Sequence, residues 1–169
     1  MTITRESAAS REVEVEVLTL PARPVVGLRE RISVPELAGF FDRAVATVLE
    51  ELFRQGFEPA GPPIVIYRHE ESHEFDVTIG FWVEEPHLFA DVLVVDQLPA
   101  GRVVRALHVG PYETLADTYT VLSRWFGDRQ VTTPTMMWEE YLVGPDAVSD
   151  PAAYRTRVVY PLHRRPITD

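Results

Sequence analysis

RPVVGLRERISVPEL (residues 23–37) and GRVVRALHVGPYETL (residues 101–115) hold matching places in this chain. Each opens as an extended, valine-rich run and breaks at a turn signal, Ser33-Val34-Pro35 in one and Gly110-Pro111 in the other. Each passes into a helical pattern, then a glycine, a proline-containing loop and a hairpin pattern. The match is one of architecture and not of residue identity. It makes the chain a degenerate duplication, written β-α-β-β, connector, β-α-β-β.

Working outward, VEVEVLTL (13–20) alternates valine with polar residues and predicts a half-buried strand. Ser33 with Glu36 forms a capping box, with Pro35 in the first turn. Leu37, Phe40, Phe41, Ala44, Val45, Val48, Leu49, Leu52 and Phe53 recur at helical spacing, and Gly56 stands as the C′ stop. Residues 62–68 and 74–83 read as a hairpin. Residues 84–100 read as an irregular connector with a short apolar piece, DVLVVDQL. The second half repeats the plan. It has a strand at 102–109, then a helix from about Tyr112 to Phe126 with Leu115, Tyr119 and Leu122 inward and Gly127 as its stop. Strands at MMWEEYLV (136–143) and YRTRVVYPL (154–162) complete it.

The expected fold is α+β. Two βαββ units (about 12–84 and 101–163) form one curved, mainly antiparallel sheet within a single domain, 12–169, after a flexible lead-in, 1–11. One helix per half covers one face of the sheet. The uncovered face is expected to hold a central cleft, lined from one strand by Asp76, Thr78, Gly80 and Trp82.

The 169 residues suffice for one domain that buries about 68–70% of its unfolded surface. There is no cysteine, so disulfides and thiol chemistry play no part. Apolar runs are too short to cross a membrane, and the polar start lacks a signal-peptide core, so a soluble cytoplasmic protein is expected. The net charge is −10 with scattered arginines, which argues against nucleic-acid binding and weakly favours a cationic ligand.

In MMWEEYL (136–142) two carboxylates sit amid aromatic and apolar groups. Strand alternation gives Glu139 a face with Met137 and Tyr141, and Glu140 a face with Trp138 and Leu142. A buried carboxylate must pair or take up a proton. Glu139 either pairs with an arginine such as Arg157, lies at a wet edge, or awaits a cation in a pocket. Glu140 is assigned to the opposite face or a rim. Trp138 is read as core beneath the second helix. Trp125, Phe126, Phe40 and Phe41 are also read as core.

GPPIVIYR, EFDVTIG, LPAGRVVRALHVGPYETL, WEEYL and TRVVYPL, in that order, resemble the GyrI-like small-molecule-binding domain. This is also the effector-binding domain of AraC- and MerR-type multidrug-responsive regulators. The resemblance covers about residues 12–163. It implies a duplicated βαββ fold with an aromatic cleft and a glutamate at its base, which maps onto Glu139. Thr78 stands where such proteins often carry an acid, and Arg157 follows Thr156 where they often have Thr-Glu. No DNA-binding helices precede the domain, so a stand-alone form is expected.

The resemblance favours the pocket reading of Glu139. The expected ligand set is Glu139, Tyr67, Trp82, Tyr112, Tyr141 and Met137, with the aromatics adding cation–π attraction. The leading expectation is a binding protein for lipophilic, cationic or electrophilic small molecules. The alternative is a hydrolase that opens strained, cyclopropane-type electrophiles, with Glu139 and Tyr112 as catalytic groups. A third reading is an acidic inhibitor of a nucleic-acid enzyme such as gyrase. No cofactor or membrane partner is expected, and a monomer or a homodimer would serve. HEESH (69–73) matches the zinc-protease signature but lies in a hairpin turn and not on a helix, so no metal site is assigned.

Overall fold

A computed structural model describes residues 13–69 and 73–163. The lead-in and Glu70, Glu71 and Ser72 of the HEESH stretch lie outside the described residues. The elements are β1 (Val15–Leu20), β2 (Arg23–Ile32), α1 (Leu37–Arg54), β3 (Ile64–His69), β4 (Phe75–Trp82) and β5 (Val94–Leu98). They continue with β6 (Gly101–Val109), α2 (Leu115–Asp128), β7 (Met136–Val143) and β8 (Arg155–Pro161). A single-turn 3₁₀ segment leads into each helix, at Val34–Glu36 and Tyr112–Thr114.

The eight strands form one antiparallel sheet in the order β1-β6-β8-β7-β3-β4-β2-β5. The two halves meet at β3 and β7, and the order reads alike outward from that seam. The lead strands are exchanged. β1 precedes β2 in the chain but pairs with β6, while β5 precedes β6 but pairs with β2. β5 lies within the stretch expected to be an irregular connector. Its run is short and sits at the sheet edge with Val94 and Val95 exposed, so its alternation is weak; its counterpart is β1.

Start and stop signals act locally as their chemistry requires. The Glu36 carboxylate accepts hydrogen bonds from the Ser33 N–H (2.8 Å) and hydroxyl (2.7 Å). Gly56 takes the left-handed conformation after α1, with φ +82°. Gly127 does not stop α2, which runs on to Asp128; Gln130 takes the left-handed position instead, with φ 55°.

Both helices pack on the same face. α1 buries Phe40, Ala44, Val48 and Leu52 against Val26, Val65, Val77 and Ile79. α2 buries Leu122 and Phe126 against Val104, Ala106 and Val158. Each valine, leucine, isoleucine or phenylalanine among them contributes about 1.5–3 kcal/mol on burial. The other face is not an open cleft. The sheet curls into a half-barrel, and its inner side is filled by Val25, Ile64, Ile66, Leu98, Val103, Trp138 and Val159. Leu18 and Leu20 of β1 pack against this cluster, which reaches Leu98 of β5 at the far edge. The strands thus cover their own inner face. A pair of glycines permits the close approach of β2 and β4. Gly27 lies opposite Gly80. A Cβ on Gly27 would sit 2.3 Å from the Ile79 carbonyl oxygen, and one on Gly80 1.9 Å from that of Val26.

Candidate functional site: a buried glutamate held by three phenols

Cross-strand register fixes which face carries Glu139. Ala106, Val158, Glu139, Val65, Ile79 and Leu28 form one continuous row of partners across β6, β8, β7, β3, β4 and β2. Partners across a sheet share a face, and this row belongs to the cores under the helices. Glu139 therefore points into the gap between α1 and α2. The cleft expected on the opposite face is on the helix-bearing side, because the curl closes the other one.

Glu139 is only 3% exposed. Tyr119 of α2 donates to its Oε1, and Tyr67 of β3 (3.2 Å) and Tyr141 of β7 donate to its Oε2. A carboxylate offers about four acceptor positions, so three phenols leave about one. Burial pushes the Glu139 pKa up, and hydrogen bonds from Tyr119, Tyr141 and Tyr67 oppose the shift without cancelling it. The same burial, with the charge of Glu139, pushes Tyr67, Tyr119 and Tyr141 well above the usual phenol range. All three stay protonated and remain donors.

Beside this cluster lies a cavity of about 490 Å³, within the range of small-molecule sites. Among the described residues, Glu139 is its only acidic wall and His69 its only basic-type side chain. Ile32, Leu37, Phe75, Val77, Met137 and Tyr160 supply most of the apolar surface. Of the residues singled out from the sequence, Glu139, Tyr67 and Met137 line this cavity, and Tyr141 lies behind it, bonded to Glu139 through its hydroxyl.

Tyr112 stands one step away. Its ring packs on Tyr141 at 5.8 Å and on Tyr154 at 5.1 Å, and it faces a neighbouring cavity. Its hydroxyl makes no hydrogen bond to Glu139. Trp82 is on the opposite side of the sheet from Glu139. It shares a face with Gly80, which pairs through Ile64 with Glu140. Trp82 packs against the inner core, with the Arg23 guanidinium 5.2 Å from its ring. The two-residue period that put Trp82 opposite the helices holds; the cleft is not there.

Arg157 pairs with Glu140, at 2.8 Å, and among the described residues no cation pairs with Glu139. Trp138 is core as expected, but in the inner cluster and not beneath α2. Asp76 and Asp96 on the inner side are also taken, by Arg29 (2.8 Å) and Arg68 (2.7 Å). Tyr119 was missed as a site residue. It was read as core, although a phenol on an inward helix face needs a hydrogen-bond partner, and that need is its signal.

The match to known proteins is decided by the whole chain. A family model, the GyrI-like small molecule binding domain, spans residues 13–163. The chain belongs to the GyrI-like family. Solved structures share the fold. SAV2435 bound to tetraphenylphosphonium superimposes with a TM-score of 0.69 at 15% identity, covering 89% of this chain and 94% of that one. The EcmrR C-terminal domain gives 0.68 at 17% identity, over 90% and 99%. A hydrolase from Listeria innocua gives 0.56 at 12% identity, over 89% and 92%. No curated protein matches the sequence. Among the described residues no helix is long and apolar enough to cross a membrane.

Proposed function

We propose that this GyrI-like domain binds lipophilic organic cations in the cavity beside Glu139. The observation that carries the reading is a buried carboxylate with no cationic partner among the described residues, an acceptor position to spare and an apolar chamber of about 490 Å³ at its side. In a low-dielectric surround an approaching cation is attracted far more strongly than in water. The tyrosine rings add cation–π attraction of about 0.5–2 kcal/mol per contact. That SAV2435 takes tetraphenylphosphonium on the same fold agrees with this choice.

The test is calorimetric titration with tetraphenylphosphonium and with tetraphenylborate, which has the same shape and the opposite charge. Binding of the cation, weakened at least about tenfold (~1.4 kcal/mol) in Glu139→Gln, with no binding of the anion, supports the reading. Equal affinity of the two ions, or indifference to Glu139→Gln, overturns it.

Hydrolysis is the second reading, favoured by the raised pKa of Glu139 beside three phenolic donors. There Glu139 would take a proton from water and a phenol would donate to the departing oxygen or carbon. Turnover of an activated cyclopropane, lost in Glu139→Gln while binding survives, would establish it. Its failure alongside tight binding would leave the receptor reading standing.

A further inference from the structure

A second cavity, of about 740 Å³, lies between α1 and the loop after β7. Phe41, Pro63, Tyr112, Tyr141 and Leu142 give it an aromatic and apolar wall. Asp42 and Asp146 also line it, no lysine, arginine or histidine does, and neither aspartate has an ion pair among the described residues.

The two cavities are not independent. Val34 and Leu37 line both. Tyr141 stands between them: its hydroxyl bonds to Glu139 of the first cavity, while its ring, packed on Phe41 at 5.1 Å, walls the second. The two cavities therefore adjoin at Val34 and Leu37 as two lobes of a cleft along α1, with Tyr141 between them. The first lobe faces Met137 and Glu139, and the second faces Tyr141, Leu142 and Gly144. Four to five residues along β7, at 3.3 Å each, put the lobe centres about 13–17 Å apart.

We infer that the cleft takes elongated dications, one aromatic cationic head beside Glu139 and the other in the Tyr112 lobe between Asp42 and Asp146, joined by an apolar linker past Leu37. This deepens the proposed function and rests on it. Charge complementarity selects the occupant, since each lobe pairs an aromatic surface with carboxylate and the second lacks any basic side chain. Linking two heads makes the second contact intramolecular, and such linkage raises affinity without new chemistry.

The test is calorimetry on the full chain with a decamethylene-bridged bis-quinolinium and with its single-headed N-decyl quinolinium counterpart. The dication is expected to bind one to one and at least about tenfold more tightly. The exposed double substitution Asp42→Asn/Asp146→Asn is expected to abolish that advantage and leave the single-headed affinity unchanged. Added salt should shrink the advantage in the native protein, because the two aspartates are at the surface. Equal affinities, an advantage that survives the double substitution, or two dications per chain would overturn the inference alone. If the single-headed cation fails to bind, or binds indifferently to Glu139→Gln, the proposed function falls and this inference falls with it.

Discussion

Glu139 and Glu140 are bonded neighbours on β7 that face opposite sides of the sheet and are partnered in different ways. Glu139 accepts from the phenols of Tyr119, Tyr67 and Tyr141 on the helix side. Glu140 receives the Arg157 guanidinium at 2.8 Å on the other. A phenol supports an anion without cancelling it, whereas a guanidinium cancels it. Only the first leaves net charge for a guest. Glu139→Gln should therefore weaken cation binding, and Glu140→Gln should leave it within about twofold while costing about 1 kcal/mol of stability. Titration calorimetry and urea melts on both variants check the pair.

The protonation of Glu139 should show in stability. Its folded pKa lies above the unfolded value, so the folded state binds the proton more tightly. Stability is thus lost as pH rises through the window between those two values, and Glu139→Gln removes that loss. Asp76 works in the opposite sense. The Arg29 hydrogen bonds hold its pKa below the ordinary carboxylate range, so its stabilisation is present above the unfolded pKa and is lost as pH falls. The difference between native and Glu139→Gln urea midpoints, followed from about pH 4 to 8 around ordinary carboxylate values, isolates the Glu139 contribution.

Cation affinity should rise across the same window. A guest that needs the carboxylate displaces its proton, so binding below the folded pKa releases one. Calorimetry in buffers of differing ionisation enthalpy reads that release directly, and it should vanish in Glu139→Gln.

Tyr119→Phe deletes a donor to a buried charge. Where Glu139 is ionised, the expected cost is about 1.5–3 kcal/mol, the scale of a hydrogen bond to an ionised group. The cost should shrink once Glu139 is protonated, which separates a lost hydrogen bond from a packing defect. Denaturant melts at two pH values decide it.

Gly80→Ala should destabilise by more than about 3 kcal/mol, because its Cβ would meet the Val26 carbonyl oxygen at 1.9 Å. Gly39→Ala, within α1 and with nothing within 4 Å of a new Cβ, should instead stabilise by up to about 1 kcal/mol. Thermal melts of the two variants should shift in opposite directions.

The duplication, the two helices and seven of the eight strands are legible in the sequence because their hydrophobic periods are long and bounded by turn residues. β5 is not, because five residues at an edge with one side wet carry little pattern. Strand parity correctly separates Glu139 from Trp138 and Glu140. What it cannot supply is which face is which. A sheet lacking helices on one side can leave a groove there or curl shut, and the period of a single strand does not record how strands such as β2 and β4, which meet at Gly27 and Gly80, approach one another. That ambiguity misplaced Trp82 and hid Tyr119, whose role depends on a helix reaching over a strand of its own half.

Each helix is anchored in its own half, α1 on β2 and β4, α2 on β6. The seam at β3 and β7 carries the carboxylate, while α1 and α2 reach it from either side through Leu37 and Tyr119. Under the proposed function, a guest seated there touches both copies of the repeat at once, so a change in either half is felt at a single charge.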